Sequence, residues 1–126
     1  MLMSDSIYAE KNPLIGSWKS NKEKTHEAII ASNKLTTKQK DIVVNHIEFG
    51  SLVLHIYKNH MVSQYDGAEH THKYKLIAVN GNKVSIEEYS DLLDSKIVKE
   101  LTIIDNILYI PSEANNDIIE VFARIK

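Results

Sequence analysis

The sequence predicts a mostly β protein: an antiparallel up-and-down β-barrel of about eight strands, with a two-helix insertion after the first strand. Three observations predict it. From Ser51 onward apolar and polar residues alternate with a period near two, the spacing that sends successive side chains to opposite faces of a strand. Good turn formers separate the alternating runs: Asn59, Asp66-Gly67, Asn80-Gly81, Asp105-Asn106 and Asn115-Asn116. Ahead of that region, two short segments carry helical spacing and their own start signals.

Taken in order, residues 1–12 read as a flexible N-terminal arm closed by the break Asn12-Pro13. Residues 13–126 form one domain, as expected for a chain of 126 residues. Leu14 to Lys19 reads as the first strand. A helical hairpin over about 21–48 follows. Ser20 precedes Glu23 by the capping-box spacing, and Thr36 and Gln39 repeat it. Ala28 and Ile29, then Ile42, Val43 and Ile47, form the apolar stripes, and Gly50 is a candidate helix stop. The stripes suit helix-to-sheet packing, with a lid over the barrel mouth or a dimer face as alternatives. Strands are expected near 51–58, 61–66, 70–79, 83–90, 96–105, 107–111 and 117–125. Asn80-Gly81 should be a type I′ turn, with positive φ at both residues. A meander of this length hides its edges best by closing on itself.

Composition narrows the function classes. Hydrophobic residues make up 43% and charged residues 25%, the ordinary globular range. With 15 Lys+Arg against 17 Asp+Glu, the chain lacks the basic surplus of a nucleic-acid binder. Cysteine is absent, which excludes disulfides, thiolate metal sites and a cysteine nucleophile. Residues 1–11 contain no apolar core of a signal peptide, and no apolar run approaches the length of a membrane span. A cytoplasmic location without membrane insertion is the expectation.

The most specific local feature is Gly16-Ser17-Trp18 in the first strand, together with Arg124 near the end of the last. On these residues the chain resembles the calycin superfamily of lipocalins and fatty-acid-binding proteins. The resemblance covers Leu14 to Ile125, including the closing run Phe122-Ala123-Arg124-Ile125, and extends to small bacterial lipocalin-like proteins. It implies that Gly16 and Trp18 plug one end of a lipocalin-like barrel and that Arg124 lies over the indole. Such a cation–π contact is worth roughly 0.5–2 kcal/mol and ties the first strand to the last. The last strand reads Arg124-Ile125-Lys126, not the Arg-x-Tyr of fatty-acid-binding proteins, so carboxylate capture by Arg124 is not implied.

His70, His72 and Tyr74 share one strand face with Leu76 and Ala78, a polar-to-apolar gradient suited to a small-molecule mouth. On the strand near 51–58, His55 and Tyr57 share a face with Val53 while Leu52, Leu54 and Ile56 share the other, and the pattern leaves the inward face open. Glu88 and Lys99 are candidates for a cross-strand ion pair. The ligand set read from the sequence is Tyr57, His70, His72, Tyr74 and Leu76. Two histidines at i, i+2 fall short of the three or four ligands a zinc site needs, so no metal, cofactor or catalytic group is assigned. The expected function is non-enzymatic binding of a small apolar or amphipathic molecule. The alternatives are a protein-interaction or homodimerisation module with a filled barrel, or an enzyme using His70 or His72 with a carboxylate.

Overall fold

A computed structural model describes residues 12–125. Eight antiparallel strands follow one another around a closed barrel, the last pairing with the first. They are β1 (Gly16–Ser20), β2 (Val53–Ile56), β3 (His60–Tyr65), β4 (Ala68–Asn80), β5 (Lys83–Ser90), β6 (Ser95–Ile104), β7 (Ile107–Pro111) and β8 (Ile119–Arg124). Two helices, α1 (Lys22–Ala31) and α2 (Thr37–His46), stand between β1 and β2. This is the mostly β, up-and-down architecture the alternation predicts. Residues 1–11, most of the expected arm, lie outside the described residues. Asn12 is buried and donates its side-chain amide to the Tyr74 hydroxyl at 3.0 Å.

Strand order defines two ends. The β1–α1, β3–β4, β5–β6 and β7–β8 connections lie at the upper end, and the β2–β3, β4–β5 and β6–β7 turns at the lower. Asp66-Gly67 and Asp105-Asn106 have positive φ at both residues, the type I′ signature. Asn80-Gly81 differs from expectation. Asn80 stays in the ladder opposite Lys83, and only Gly81 of the pair takes a positive φ, 64°, as the first residue of a Gly81-Asn82 loop. A bulge between Leu76 and Ala78 shifts the register by one residue above this turn. The same bulge moves Ala78 opposite Ser85 and off the face it was expected to share with His70, His72, Tyr74 and Leu76.

The helix starts follow from local chemistry, with one correction. α2 has its capping box: the Gln39 N–H donates to Thr36 Oγ1 at 3.1 Å, and the Thr36 N–H to Gln39 Oε1 at 2.8 Å. The cap of α1 is Asn21, which accepts from the Lys24 N–H at 2.9 Å, and not Ser20. Ser20 is the last residue of β1, buried, and its hydroxyl is already engaged with Glu120 and the Gly50 N–H. Gly50 is not the stop of α2, which ends at His46. It lies beyond, at φ +105°, where an added Cβ would meet Lys22 Cβ at 3.3 Å. Glycine is needed there for a left-handed backbone pressed against the start of α1.

The lower barrel is a packed apolar core of Leu14, Trp18, Ile56, Val84, Ile86, Leu101, Leu108 and Phe122, all essentially inaccessible to solvent. Burying side chains of this size contributes about 1.5–3 kcal/mol each, which is why the small domain closes around that end. A second cluster, Ile29, Leu35, Val43 and Phe49 with Ile118 against it, fastens the helices. Of the expected helical stripes, Ile29 and Val43 are buried, whereas Ile42 and Ile47 face solvent. α1 packs on β8 and α2 on α1.

Candidate functional site

Pairing decides which faces look inward. Leu54 and Ile56 are buried, so the inward face of β2 is the one carrying the leucines, and His55 points outward. Met61 lies opposite His72 and Ser63 opposite His70, which puts His70 and His72 on the inward side of β4 with Tyr74 and Leu76. Of these, Tyr74 is buried, Leu76 packs against the core, and His70 and His72 are exposed at the upper rim. Tyr74 belongs to the floor: its hydroxyl donates to the Tyr57 carbonyl and accepts from Asn12. Burial raises its pKa, partly offset by the Asn12 hydrogen bond. Tyr57 is not brought to that face; its ring is exposed and stacks on His60 at 4.7 Å.

At the lower end the Arg124 guanidinium lies 4.1 Å from the centre of the Trp18 ring. It also donates to the Ile15 and Pro13 carbonyls at 3.0 Å and to Asn106 at 3.1 Å. The indole N–H donates to the Leu14 carbonyl at 2.9 Å. Every outward-reaching group of Arg124 is thus engaged by protein, tying β1, β8 and the approach to β1 together.

Above the apolar floor the interior turns polar. Lys99 on β6 lies 2.7 Å from Glu88 on β5 and 3.5 Å from Glu113 in the β7–β8 connection. Glu113 also accepts from the Ser90 hydroxyl at 2.9 Å. Glu88 is almost wholly buried and Lys99 largely so. Across the barrel, Glu120 accepts from Ser20 at 2.7 Å, and burial raises its carboxyl pKa above the ordinary value.

The wall beside Lys99 is incomplete. β6 pairs with β7 only at Thr102, Ile103 and Ile104, so the two strands part above that point. Between them opens a cleft of about 390 Å³. Leu93, Ile97, Val98 and Pro111 supply its apolar surface, and Lys99, Glu100, Glu113 and Asn116 its polar surface. Its size and its mixture of apolar wall with a few convergent polar groups are those of a small-molecule site. Only Glu88 and Lys99 were legible as an ion-pair candidate in the sequence. Glu113 sits in a connection with no periodicity and gave no signal.

A second polar arrangement was not legible at all. On the outer face, Ser17 Oγ lies 2.7 Å from His55 Nδ1, His55 Nε2 lies 3.1 Å from Gln64 Oε1, and Gln64 donates to Glu69 at 2.6 Å. These residues come from four neighbouring strands. The dyad lies in the middle of a hydrogen-bonded sheet, whose ladder uses the backbone N–H groups an oxyanion hole would require. The row therefore reads as cross-strand bonding of the outer surface.

Among the described residues, no group of three or more His, Asp or Glu is arranged to hold a metal ion. No described helix is long and apolar enough to cross a membrane. Comparison of the chain with protein families, curated proteins and solved structures found no match. The class it belongs to is therefore defined by the fold itself, an eight-stranded antiparallel closed barrel with a helical hairpin after the first strand.

Proposed function

We propose that the protein is a calycin-like barrel that holds a small amphipathic molecule at its upper end without converting it. The observation that carries this reading is the cleft of about 390 Å³ between β6 and β7, where an apolar wall meets the Lys99–Glu88–Glu113 group. None of Tyr57, His70, His72, Tyr74 and Leu76 lines this cleft; the last four lie on β4, with β5 between them and β6.

The charge at the site selects the head group. Glu88 and Glu113 together outweigh Lys99 by one negative charge, and Lys99 is already held by both. A carboxylate head would meet net repulsion, whereas an ammonium or a hydrogen-bond donor finds acceptors. Arg124, the group that would capture a fatty acid, is occupied over Trp18 at the opposite end.

The test is native mass spectrometry of the protein with dodecylamine and, separately, dodecanoate. Dodecylamine should give a one-to-one adduct on the native chain and lose it in Ile97→Trp, which fills the apolar wall. Equal binding of both probes would remove the electrostatic argument, and binding of neither would remove the site.

A further inference from the structure

Among the described residues, the parting of β6 from β7 leaves a strand edge that no other strand fills, and its sequence is self-complementary. The Ile103 N–H donates to the Asn82 carbonyl at 2.9 Å, on the β5 side. Successive backbone groups alternate sides along a strand, and β6 has no register shift, so residues 97, 99 and 101 also aim at β5. Residues 96, 98 and 100 therefore turn their N–H and C=O groups toward β7, which pairs with none of them. The unpaired stretch runs over residues 95–101 and carries neither a proline nor a bulge, two of the devices that usually protect an edge. Its outward side chains are Lys96, Val98 and Glu100, and Val98 is 64% exposed.

We propose that a second copy of this chain pairs with this edge, β6 against β6 in antiparallel, about a two-fold axis at Val98. Three independent features select that register. Val98 is the midpoint of the free stretch 95–101, so this axis uses its whole length. The pairs it creates, Val98 with its own copy and Lys96 with Glu100 of the other chain in both directions, are those whose backbone groups face the edge. Each such pair exchanges two hydrogen bonds. The side chains also agree: opposite charges meet on either side of an apolar centre. Moving the axis to residue 97 or 99 sets Val98 against Lys96 or Glu100 and breaks the Lys96–Glu100 pairs, and moving it to residue 96 or 100 sets Lys96 against Lys96 or Glu100 against Glu100. Among the described residues Glu100 has only an exposed contact with Lys83 at 3.9 Å. The two-fold makes the contact closed, a dimer and not a fibre. Leu92 and Leu93, 66% and 58% exposed at the adjoining hairpin tip, enlarge the apolar area beside it.

This inference does not rest on the ligand reading, but it shares a surface with it: Val98 and Glu100 also line the cleft, so a second copy on this edge would occupy part of that space. Sedimentation equilibrium from micromolar to millimolar concentration tests it, with three variants. Val98→Pro removes an N–H that no strand of the same chain uses, so it blocks the edge while sparing the β5 ladder. Lys96→Glu places like charges together twice by symmetry and should weaken the dimer roughly tenfold or more. The double change Lys96→Glu with Glu100→Lys restores both pairs and should restore the dimer, a recovery that a merely misfolded variant would not show. A native chain that stays monomeric at millimolar concentration overturns the proposal. So does a dimer that persists unchanged in Val98→Pro and Lys96→Glu. Dodecylamine binding is read at micromolar concentration on the Lys96→Glu chain, whose changed residue does not line the cleft, so failure of the dimer and failure of the ligand reading are distinguishable.

Discussion

The barrel wall is short of strand pairing at several seams, residues 68–73 of β4 on the β5 side among them, and two of these seams are finished differently. At the β1–β8 seam, β1 ends at Ser20 opposite Phe122, leaving residues 119–121 of β8 without a strand on the β1 side, though β7 pairs with them on the other. The chain covers this edge with its next element. The Asn21 N–H donates to the Val121 carbonyl at 2.8 Å, and the Val121 N–H donates to the hydroxyl of fully buried Thr25 at 2.9 Å. At the β6–β7 seam nothing similar happens: β7 parts from β6, Glu113 turns to the inner residues Lys99 and Ser90, and the β6 edge is left open. A strand edge buried against a helix must have its polar groups satisfied within the chain, whereas an edge facing solvent can wait for water or a partner. The first seam is therefore structural, and the second is where binding is to be sought.

The largest effect expected from this comparison is at the open seam. Lys99→Met leaves Glu88 and Glu113 facing each other without their shared cation, Glu88 almost wholly buried. The loss should be about 2–3 kcal/mol, below the range for a fully buried pair because the rim is partly wet. Chemical denaturation measures it; an unchanged midpoint would show that the ion group is not coupled to the fold. If Glu88→Leu is added, most of the loss should be recovered, since the buried uncompensated charge is gone.

A smaller effect is expected at the closed seam. Thr25→Val keeps the shape of a buried side chain but leaves the Val121 N–H without an acceptor, at a cost of about 1–3 kcal/mol. Hydrogen exchange at Val121 should quicken more than exchange in β3 and β4. Uniform quickening would mean that α1 is not a local cover for the edge.

The smallest effect concerns Glu120, whose folded pKa burial raises above the ordinary 4.5, against the opposing Ser20 hydrogen bond. The folded state therefore holds this proton more tightly than the unfolded chain, and stability falls as pH rises from about the unfolded value through the folded one. At neutral pH the full penalty is present. Glu120→Gln should consequently melt no lower than the native chain at pH 7, and its advantage should vanish on acidification below the ordinary carboxylate range. An advantage that grows on acidification would reverse the sign of this argument.

Much of the frame was legible from local pattern. The strands β5 and β7 stand where alternation and turn residues put them, Thr36 and Gln39 form their capping box, and the helices fall between the first strand and the second. The misreadings share a cause. Ser20 carries a cap signature, yet its side chain is claimed by Glu120 and Gly50, partners distant in sequence. Asn80-Gly81 carries a turn signature, yet the ladder runs past its first residue, with Asn80 opposite Lys83. The candidate site was legible only as fragments: His70 and His72 on one face, and Glu88 with Lys99 as a possible pair. Tyr57 looked equivalent to those residues in the alternation but stacks outside on His60.

The sequence by itself determined the period of each element, the positions of most turns and the apolar residues available for a core, because these depend on neighbours a few residues apart. It also carried the spacing Lys96, Val98, Glu100 that makes one strand complementary to itself. Only the tertiary structure decided which face of each strand turned inward, and that Thr25 would close one seam while β7 left the other open, whereas Arg124 lies over Trp18 as the calycin resemblance implied. Those outcomes depend on register between strands as distant in sequence as Trp18 and Arg124. A shift of one residue exchanges the two faces, and only the packing of the closed barrel selects between them.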